Sequence, residues 1–306
     1  MKHYSVMLNE CIDMLEIKPD GIYIDGTLGR GGHSKEILKR LDKGLLYVFD
    51  LDETAIREAK ERLKYYQNVV YIHDNFANMK NYVNPNSVDG ILLDLGVSSP
   101  QFDDETRGFS YRFDSRLDMR MNQEARVSAY EVVNNYSYEE LLRVIRDYGE
   151  EPFASKIASN IVKKREIKPV ETTFELVDII KSSMSAKYLS KKGHPAKQTF
   201  QALRIEVNHE LDSLKEFLYG FDEILKKDGI VAIITFHSLE DKLVKARFNE
   251  LSKIKVDKRI AYLPDQIEKA PYELINHKVI IAGDEELNEN TRSKSAKLRG
   301  IRKIRG

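Results

Sequence analysis

The segment Ile22-Tyr23-Ile24-Asp25-Gly26-Thr27-Leu28-Gly29-Arg30-Gly31-Gly32-His33-Ser34 reads as an apolar strand, a glycine-dense turn and the first turn of a helix. Four of the seven residues 26–32 are glycine. Glycine takes positive φ freely and lets another group approach the main chain where a Cβ would stand. A strand that enters a helix through such a turn delivers free N–H groups at the helix N-terminus, the layout of a nucleotide-type cofactor site in a parallel sheet.

The first hundred residues keep that rhythm. Strand candidates at Ile22 to Ile24, Leu45 to Phe49, Val69 to Ile72 and Val88 to Leu93 are separated by helical patterns near His33 to Leu41 and Glu53 to Tyr65, which predicts a parallel sheet covered on both faces. After about Phe102 the pattern turns helical, with three and four spacing of apolar residues in Ala129 to Val133, Tyr138 to Tyr148, Phe153 to Lys164 and Phe174 to Lys181. Gln198 to Asn208 and His209 to Leu225 continue as helices, Lys227-Asp228-Gly229 reads as a stop, and Ile230 to Phe236 and Leu274 to Ala282 read as further strands. The pattern predicts one α/β domain split in sequence: residues 1–103 and 201–290 form it, 104–200 are an inserted helical domain, and 291–306 are a basic C-terminal tail.

Composition sets outer bounds. The 306 residues suffice for a sizeable core, 42% are hydrophobic and 32% charged, and no stretch is long and apolar enough to cross a membrane. Met1-Lys2-His3-Tyr4 has no signal-peptide architecture. The single cysteine, Cys11, allows no intrachain disulfide, which favours a reducing cytoplasm, and its spacing with Leu8, Ile12 and Leu15 places it in a core. The formal charge of +0 conceals Arg292, Lys294, Lys297, Arg299, Arg302, Lys303 and Arg305, a tail without acids that favours an anionic partner such as nucleic acid.

Ligands of open parallel sheets sit beyond the carboxyl ends of the strands. There the sequence has Asp25 and the glycine turn; Asp50 then Asp52; Asp74, Asn75 and Phe76; and Asp94. Asp50 lies nineteen residues after Gly31, where a carboxylate accepts from ribose hydroxyls. Asp52, ahead of Glu53 and Thr54, reads as a helix N-cap. The turn lacks the last glycine of a dinucleotide fingerprint, Ser34 standing in its place, and lacks the Lys-Ser or Lys-Thr of a P-loop. After the fourth strand, Ser99-Pro100-Gln101-Phe102 offers a hydroxyl, a backbone carbonyl and an aromatic plane. Methylation of a ring-conjugated amine calls for acceptors on its protons and a flat apolar surface for its base; a plain tight turn is the competing reading.

These motifs, with Arg107-Gly108-Phe109-Ser110, Leu117 to Met121, Tyr148 to Glu151, His194 to Asn208 and Phe236 to Asp241, resemble the family of bacterial 16S rRNA cytosine-N4 methyltransferases, the MraW family. The resemblance runs from His3 to Arg299. It implies a class I S-adenosylmethionine-dependent methyltransferase, a Rossmann-like, doubly wound, mostly parallel sheet with an inserted all-helical domain. The substrate it implies is the N4 amino group of a cytidine in the decoding region (P site) of 16S rRNA in the small ribosomal subunit, with the enzyme in the cytoplasm, off the membrane and compatible with a homodimer. It carries cofactor contacts onto Gly31, Gly32, His33, Asp50, Phe76, Asp94 and Gln101; for substrate chemistry the residues themselves point to Ser99, Pro100, Phe102 and His237.

One departure concerns amino methyltransferases at large, whose turn carries Pro-Pro and an aromatic where this chain has Pro100-Gln101-Phe102; the MraW family shares the glutamine. His237 after the strongest strand orients or deprotonates the base, or is structural. His33 is the weaker candidate base, His194 suits RNA phosphate or plain loop chemistry, and no histidine or carboxylate spacing suggests a catalytic metal. Residues alone also leave open a nicotinamide-dependent oxidoreductase built on the same turn, and a non-catalytic RNA-binding module with a degenerate cofactor site.

Overall fold

The computed structural model describes residues 5–190, 193–253 and 270–305. The reading of Met1 to Tyr4, and Lys191 and Lys192 of the loop before His194, fall outside them. In chain order the strands are β1 Ile22–Asp25, β2 Leu45–Asp50, β3 Val69–His73, β4 Val88–Asp94, β5 Leu225–Thr235, β6 Tyr272–Leu274 and β7 Lys297–Lys303. The helices are α1 Leu8–Met14, α2 Gly32–Leu38, α3 Glu53–Leu63, α4 Ser99–Asp103, α5 Ala129–Asn135, α6 Tyr138–Arg143, α7 Ala154–Arg165, α8 Thr173–Ser182, α9 Ala186–Leu189, α10 Lys197–Asn208, α11 Glu210–Gly220, α12 Ser238–Leu251 and α13 Asp284–Glu289. Two compact units result: Met1–Gly96 with Leu211–Gly306, which holds the sheet, and Val97–Glu210, which is helical. The helical unit thus takes in α4 and all of α10, beyond the 104–200 expected from hydrophobic spacing.

The sheet runs in the order β3-β2-β1-β4-β5-β7-β6. β1 to β5 are parallel, and β7 is antiparallel to both β5 and β6. This is the doubly wound class I methyltransferase order, as expected. Alternate strand residues feed two cores: Leu92, Ile230, Ala232 and Ile234 pack with α1, α2 and α3, while Ile91, Leu93, Val231 and Ile233 pack with α11 and α12. Burial on both faces is why these strands read as unbroken apolar runs. Cys11 lies in the first core, fully buried.

Three expectations are corrected. Lys227-Asp228-Gly229 does not end a helix. It is a bulge inside β5, where pairing with β4 jumps from Val88↔Leu225 to Gly90↔Ile230, with Asp228 at φ 66°. Lys226 in that bulge pairs with buried Asp89 at 2.8 Å. The strand expected over Leu274 to Ala282 stops at Leu274, because the Asn276 side chain takes the place of ladder bonds: its Oδ1 accepts from Gly300 N at 2.7 Å and its Nδ2 donates to Leu298 O at 3.0 Å.

The third correction is the tail. Residues 297–303 are an interior strand, with Leu298 and Ile301 fully buried. Its cations are spent within the fold. Asp241 pairs with Arg299 at 2.7 Å and Lys297 at 3.2 Å, and Arg302 pairs with Glu16 and, at 3.5 Å, with Glu273. Buried Lys303 donates to the carbonyls of Asp222 and Leu225, each at 2.9 Å, and to Asn86 Oδ1 at 3.2 Å. The charge run is therefore strand chemistry, and most of it is not on offer to an anionic partner.

The helical unit has its own core around Leu141, Ile157, Ile161, Leu176, Ile180 and Leu203. Capping boxes start its helices: Ser128 with Glu131 for α5, Ser137 with Glu140 for α6, Thr172 with Glu175 for α8. The expected helix Tyr138 to Tyr148 changes to π-helical winding at Val144–Tyr148 and ends at Gly149, where a Cβ would lie 2.5 Å from Ile145 O. Among the described residues no helix is long and apolar enough to cross a membrane.

Loss of the Lys303 ammonium leaves three acceptors unpaired inside the sheet unit. Lys303→Ala is expected to lower urea-denaturation stability by about 2–4 kcal/mol, whereas Lys294→Ala, at an exposed position, changes it by less than about 0.5 kcal/mol.

Candidate functional site

The register places the site. Asp25 at the end of β1 is level with Val48 of β2 and Leu92 of β4, so Asp50 and Asp94, each two residues farther on, flank the turn that leaves β1. Main-chain bonds fix that turn to both neighbours: Gly26 N donates to Leu92 O and Leu28 N to Phe49 O, each at 2.9 Å. Gly31 is the left-handed N-cap of α2 at φ 72°. Its amide donates to Leu28 O at 2.7 Å within the turn; Gly32 and His33 supply the first helical amides. At Gly32 a Cβ would lie 1.9 Å from Ser5 Oγ, so a side chain there would require Ser5 to shift.

Asp25 stitches the turn to α2. Fully buried, it accepts from Thr27 N at 3.1 Å and from Ser34 Oγ at 2.6 Å, and burial raises its pKa. Ser34, which replaces the fingerprint glycine, is thus the hydroxyl that satisfies this carboxylate. Thr27 Oγ1 accepts from Asp94 N at 2.6 Å, joining the turn to β4.

Asp50 accepts from Gly29 N at 2.8 Å and Asp52 N at 2.9 Å, and burial pushes its pKa up to about 6. Asp52 caps α3 by accepting from Thr54 N at 2.9 Å. Asp94 is less well served. Its Oδ2 is 3.9 Å from His33 Nδ1, its buried Oδ1 has no hydrogen-bond partner, and its pKa is pushed up to about 6. Burial is the main cause; His33 opposes it, and Asp25, Glu240 and Glu286 reinforce it. His33 Nε2 lies 3.0 Å from Val6 O, and a carbonyl can only accept, so Nε2 carries a proton.

Phe76 opens the 3-10 helix Phe76–Asn81, capped by Asn75, whose Oδ1 accepts from Ala77 N at 2.9 Å. Its half-buried ring meets Phe217 edge to face at 6.0 Å. His237 begins α12 after β5. Its Nε2 is 3.1 Å from Glu240 Oε1, both side chains are buried, and Glu240 Oε2 accepts from Phe236 N at 2.7 Å. The contact sets the ring beside the start of α12, with both ring nitrogens buried and, among the described residues, without a hydrogen-bond partner.

Gly31, Gly32, His33, Asp50, Phe76, Asp94 and His237 therefore all belong to the sheet unit, at or just beyond strand ends. Ser99, Pro100, Gln101 and Phe102 belong to the helical unit, in α4. There Gln101 closes a capping box: its Oε1 accepts from Ser98 N at 3.1 Å and its own N donates to Ser98 Oγ at 3.4 Å. A second proline at 101 would supply neither bond, which accounts for the departure from Pro-Pro. The Ser-x-x-Gln spacing is a legible signal for it. Ser5, Val6, Thr27 and Glu286, which accepts from Met7 N at 3.0 Å, carry no such local signal.

Asp50 and Asp94 hold protons in the folded chain between about pH 4 and 6 that the unfolded chain releases. Each therefore makes stability fall as pH rises across that window and leaves a constant penalty above it. Asp94→Asn is expected to raise the stability of the ligand-free protein at pH 7.5 by on the order of 2 kcal/mol, with little change at pH 4, as read from thermal melts at the two pH values.

The chain is similar in architecture to several solved structures. An rRNA methylase from Streptococcus thermophilus is 14% identical over 99% of each chain with a TM-score of 0.41, and a Streptococcus mutans protein in complex with SAH is 14% identical over 98% of this chain and 99% of that one, TM-score 0.40. A SAM-dependent O-methyltransferase from Thermotoga maritima is 10% identical over 99% of this chain and 68% of its own, TM-score 0.40. A model of the MraW methylase family matches residues 1–304; with the sheet order and strand-end carboxylates above, the chain belongs to that family and is a methyltransferase whose cofactor is S-adenosylmethionine.

Proposed function

We propose that this chain methylates the N4 amino group of a cytidine in the decoding region (P site) of 16S rRNA within the small ribosomal subunit. What carries the reading is the family match over residues 1–304 together with an amine-accepting type of turn, Ser99 to Phe102, shortly after the fourth strand. The cofactor, when bound, supplies an electrophilic sulfonium methyl.

The residues fit that group. Asp94 Oδ1 is a buried acceptor without a partner, suited to an ammonium or an adenine amine. Asp50 keeps acceptor capacity on both oxygens beyond the two amides it already serves, enough for paired ribose hydroxyls. The Gly32 and His33 amides at the start of α2 suit a carboxylate, Phe76 gives adenine an aromatic surface, and Gln101 acts by holding α4 in its capped form. Ser99, Pro100 and Phe102 receive the target base, and His237, held by Glu240, positions it. The base leaves its stack to reach them, at a cost of a few kcal/mol that stacking and edge contacts offset.

Small subunits lacking the modification, incubated with tritiated donor and then digested, are expected to carry label on N4 of one cytidine; absence of label there overturns the reading. Below about pH 6 the two carboxylates take up protons and lose acceptor strength. Calorimetric affinity for S-adenosylhomocysteine is expected to fall about tenfold between pH 7.5 and 5, and Asp50→Ala to weaken it at least tenfold at pH 7.5, with an unchanged value for Asp50→Ala refuting the ribose assignment.

A further inference from the structure

We propose that the helical unit carries a nucleobase-stacking platform, built from Tyr111 and His194 and rimmed by Arg112 and Lys181, for a single-stranded nucleotide that neighbours the one held by Phe102. This deepens the RNA reading above and rests on it.

The platform stands on ring geometry. Tyr111 and His194 lie face to face, with centroids 4.0 Å apart and planes inclined by 6°. Two edge-to-face contacts fix Tyr111, one with buried Phe200 at 5.6 Å and one with Phe102 at 6.4 Å. His194 is fixed separately, for its Nδ1 accepts from Ala196 N at 3.2 Å. That bond makes Nδ1 unprotonated and the imidazole neutral in this arrangement. Phe102, Tyr111 and His194 are nevertheless only half buried. A cluster serving the core alone would enclose its rings as it encloses Phe200; this one leaves planar surface at the boundary with solvent.

The charged groups that act on His194 have one sign. The Arg112 guanidinium lies 5.9 Å over the Phe102 ring. Arg112 and Lys181 are the charged groups that act on His194, and both lower its pKa after burial has done so. Both are exposed, and among the described residues neither makes an ion pair. Arg120, Arg143 and Arg204 of the same unit are each paired with a carboxylate. Pre-oriented aromatic faces beside free cations suit the base and phosphate of an unpaired nucleotide, since every base offers a π-face and every linkage an anion.

The test uses the full chain and fluorescence anisotropy with a short, labelled, single-stranded RNA containing cytidine. His194→Ala and Tyr111→Leu are expected to weaken binding roughly fivefold to a hundredfold without changing its salt dependence. Arg112→Gln is expected to reduce the slope of log K against log[salt] by about 0.7. His194→Ala removes a half-buried loop side chain, so it remains decisive even where Tyr111→Leu fails a thermal-melt check. Unchanged affinity in His194→Ala, with only Arg112→Gln affected, makes the surface a plain anion patch and overturns the platform alone. A wild-type chain that binds no RNA overturns both the platform and the RNA reading on which it rests.

Discussion

The hydrogen bonds around the buried Asp25 carboxylate hold the site together. An ionised carboxyl in a protein interior costs several kcal/mol unless its oxygens are served, and here the Thr27 amide and the Ser34 hydroxyl serve them. Those two partners lie on opposite sides of the glycine turn, so satisfying Asp25 closes the turn onto α2. The bonding then spreads outwards: Thr27 Oγ1 takes the Asp94 amide and the Gly29 amide goes to Asp50. Three neighbouring strand ends are locked by one polar network, and the Asp50 and Asp94 carboxylates take their positions from it.

That network explains which parts of the chain were legible. β1, β2, β4 and β5 were readable because burial on both faces forces an apolar run, whereas β3 at the sheet edge keeps Val70 exposed and was legible from its β-branched residues; parallel strands also place their ends at one level. Asp50 and Asp94 followed from position alone. The last strand was not readable. Lys297-Leu298-Arg299-Gly300-Ile301-Arg302-Lys303 alternates apolar and cationic residues, and the partners that neutralise it, Asp241, Glu16 and Glu273, are remote in sequence. A charge run and a strand with distant counterions look the same until the counterions are placed. The bulge at Lys227-Asp228-Gly229 was misread for a related reason: its turn chemistry is genuine, but the chain resumes the same strand beyond it.

Within the site, the residues that sequence reasoning singled out divide by the kind of bond they make. Asp52 and Gln101 act through contacts two or three residues away, and capping rules find such contacts. Gly32 packs against Ser5, whose hydroxyl would have to move to admit a Cβ. His237 shows how ambiguous a strand-end histidine is, because a ring tied to Glu240 at a helix start carries the same local sequence as one aimed at a substrate.

The remaining question is why evolution would keep Asp94 so poorly satisfied when Asp25, also buried, is bonded on both oxygens. Serving Asp94 Oδ1 with a protein donor would stabilise the folded chain, but it would also occupy the acceptor that the proposed contact with an ammonium or amine group uses. A buried acceptor without a partner gains most from a charged donor, because low polarity strengthens the bond and no internal bond has to be broken first. The folded chain therefore carries a local penalty at Asp94, one that the proposed cofactor contact would offset, and the well-bonded Asp25 beside it supplies the rigidity that makes such a penalty tolerable.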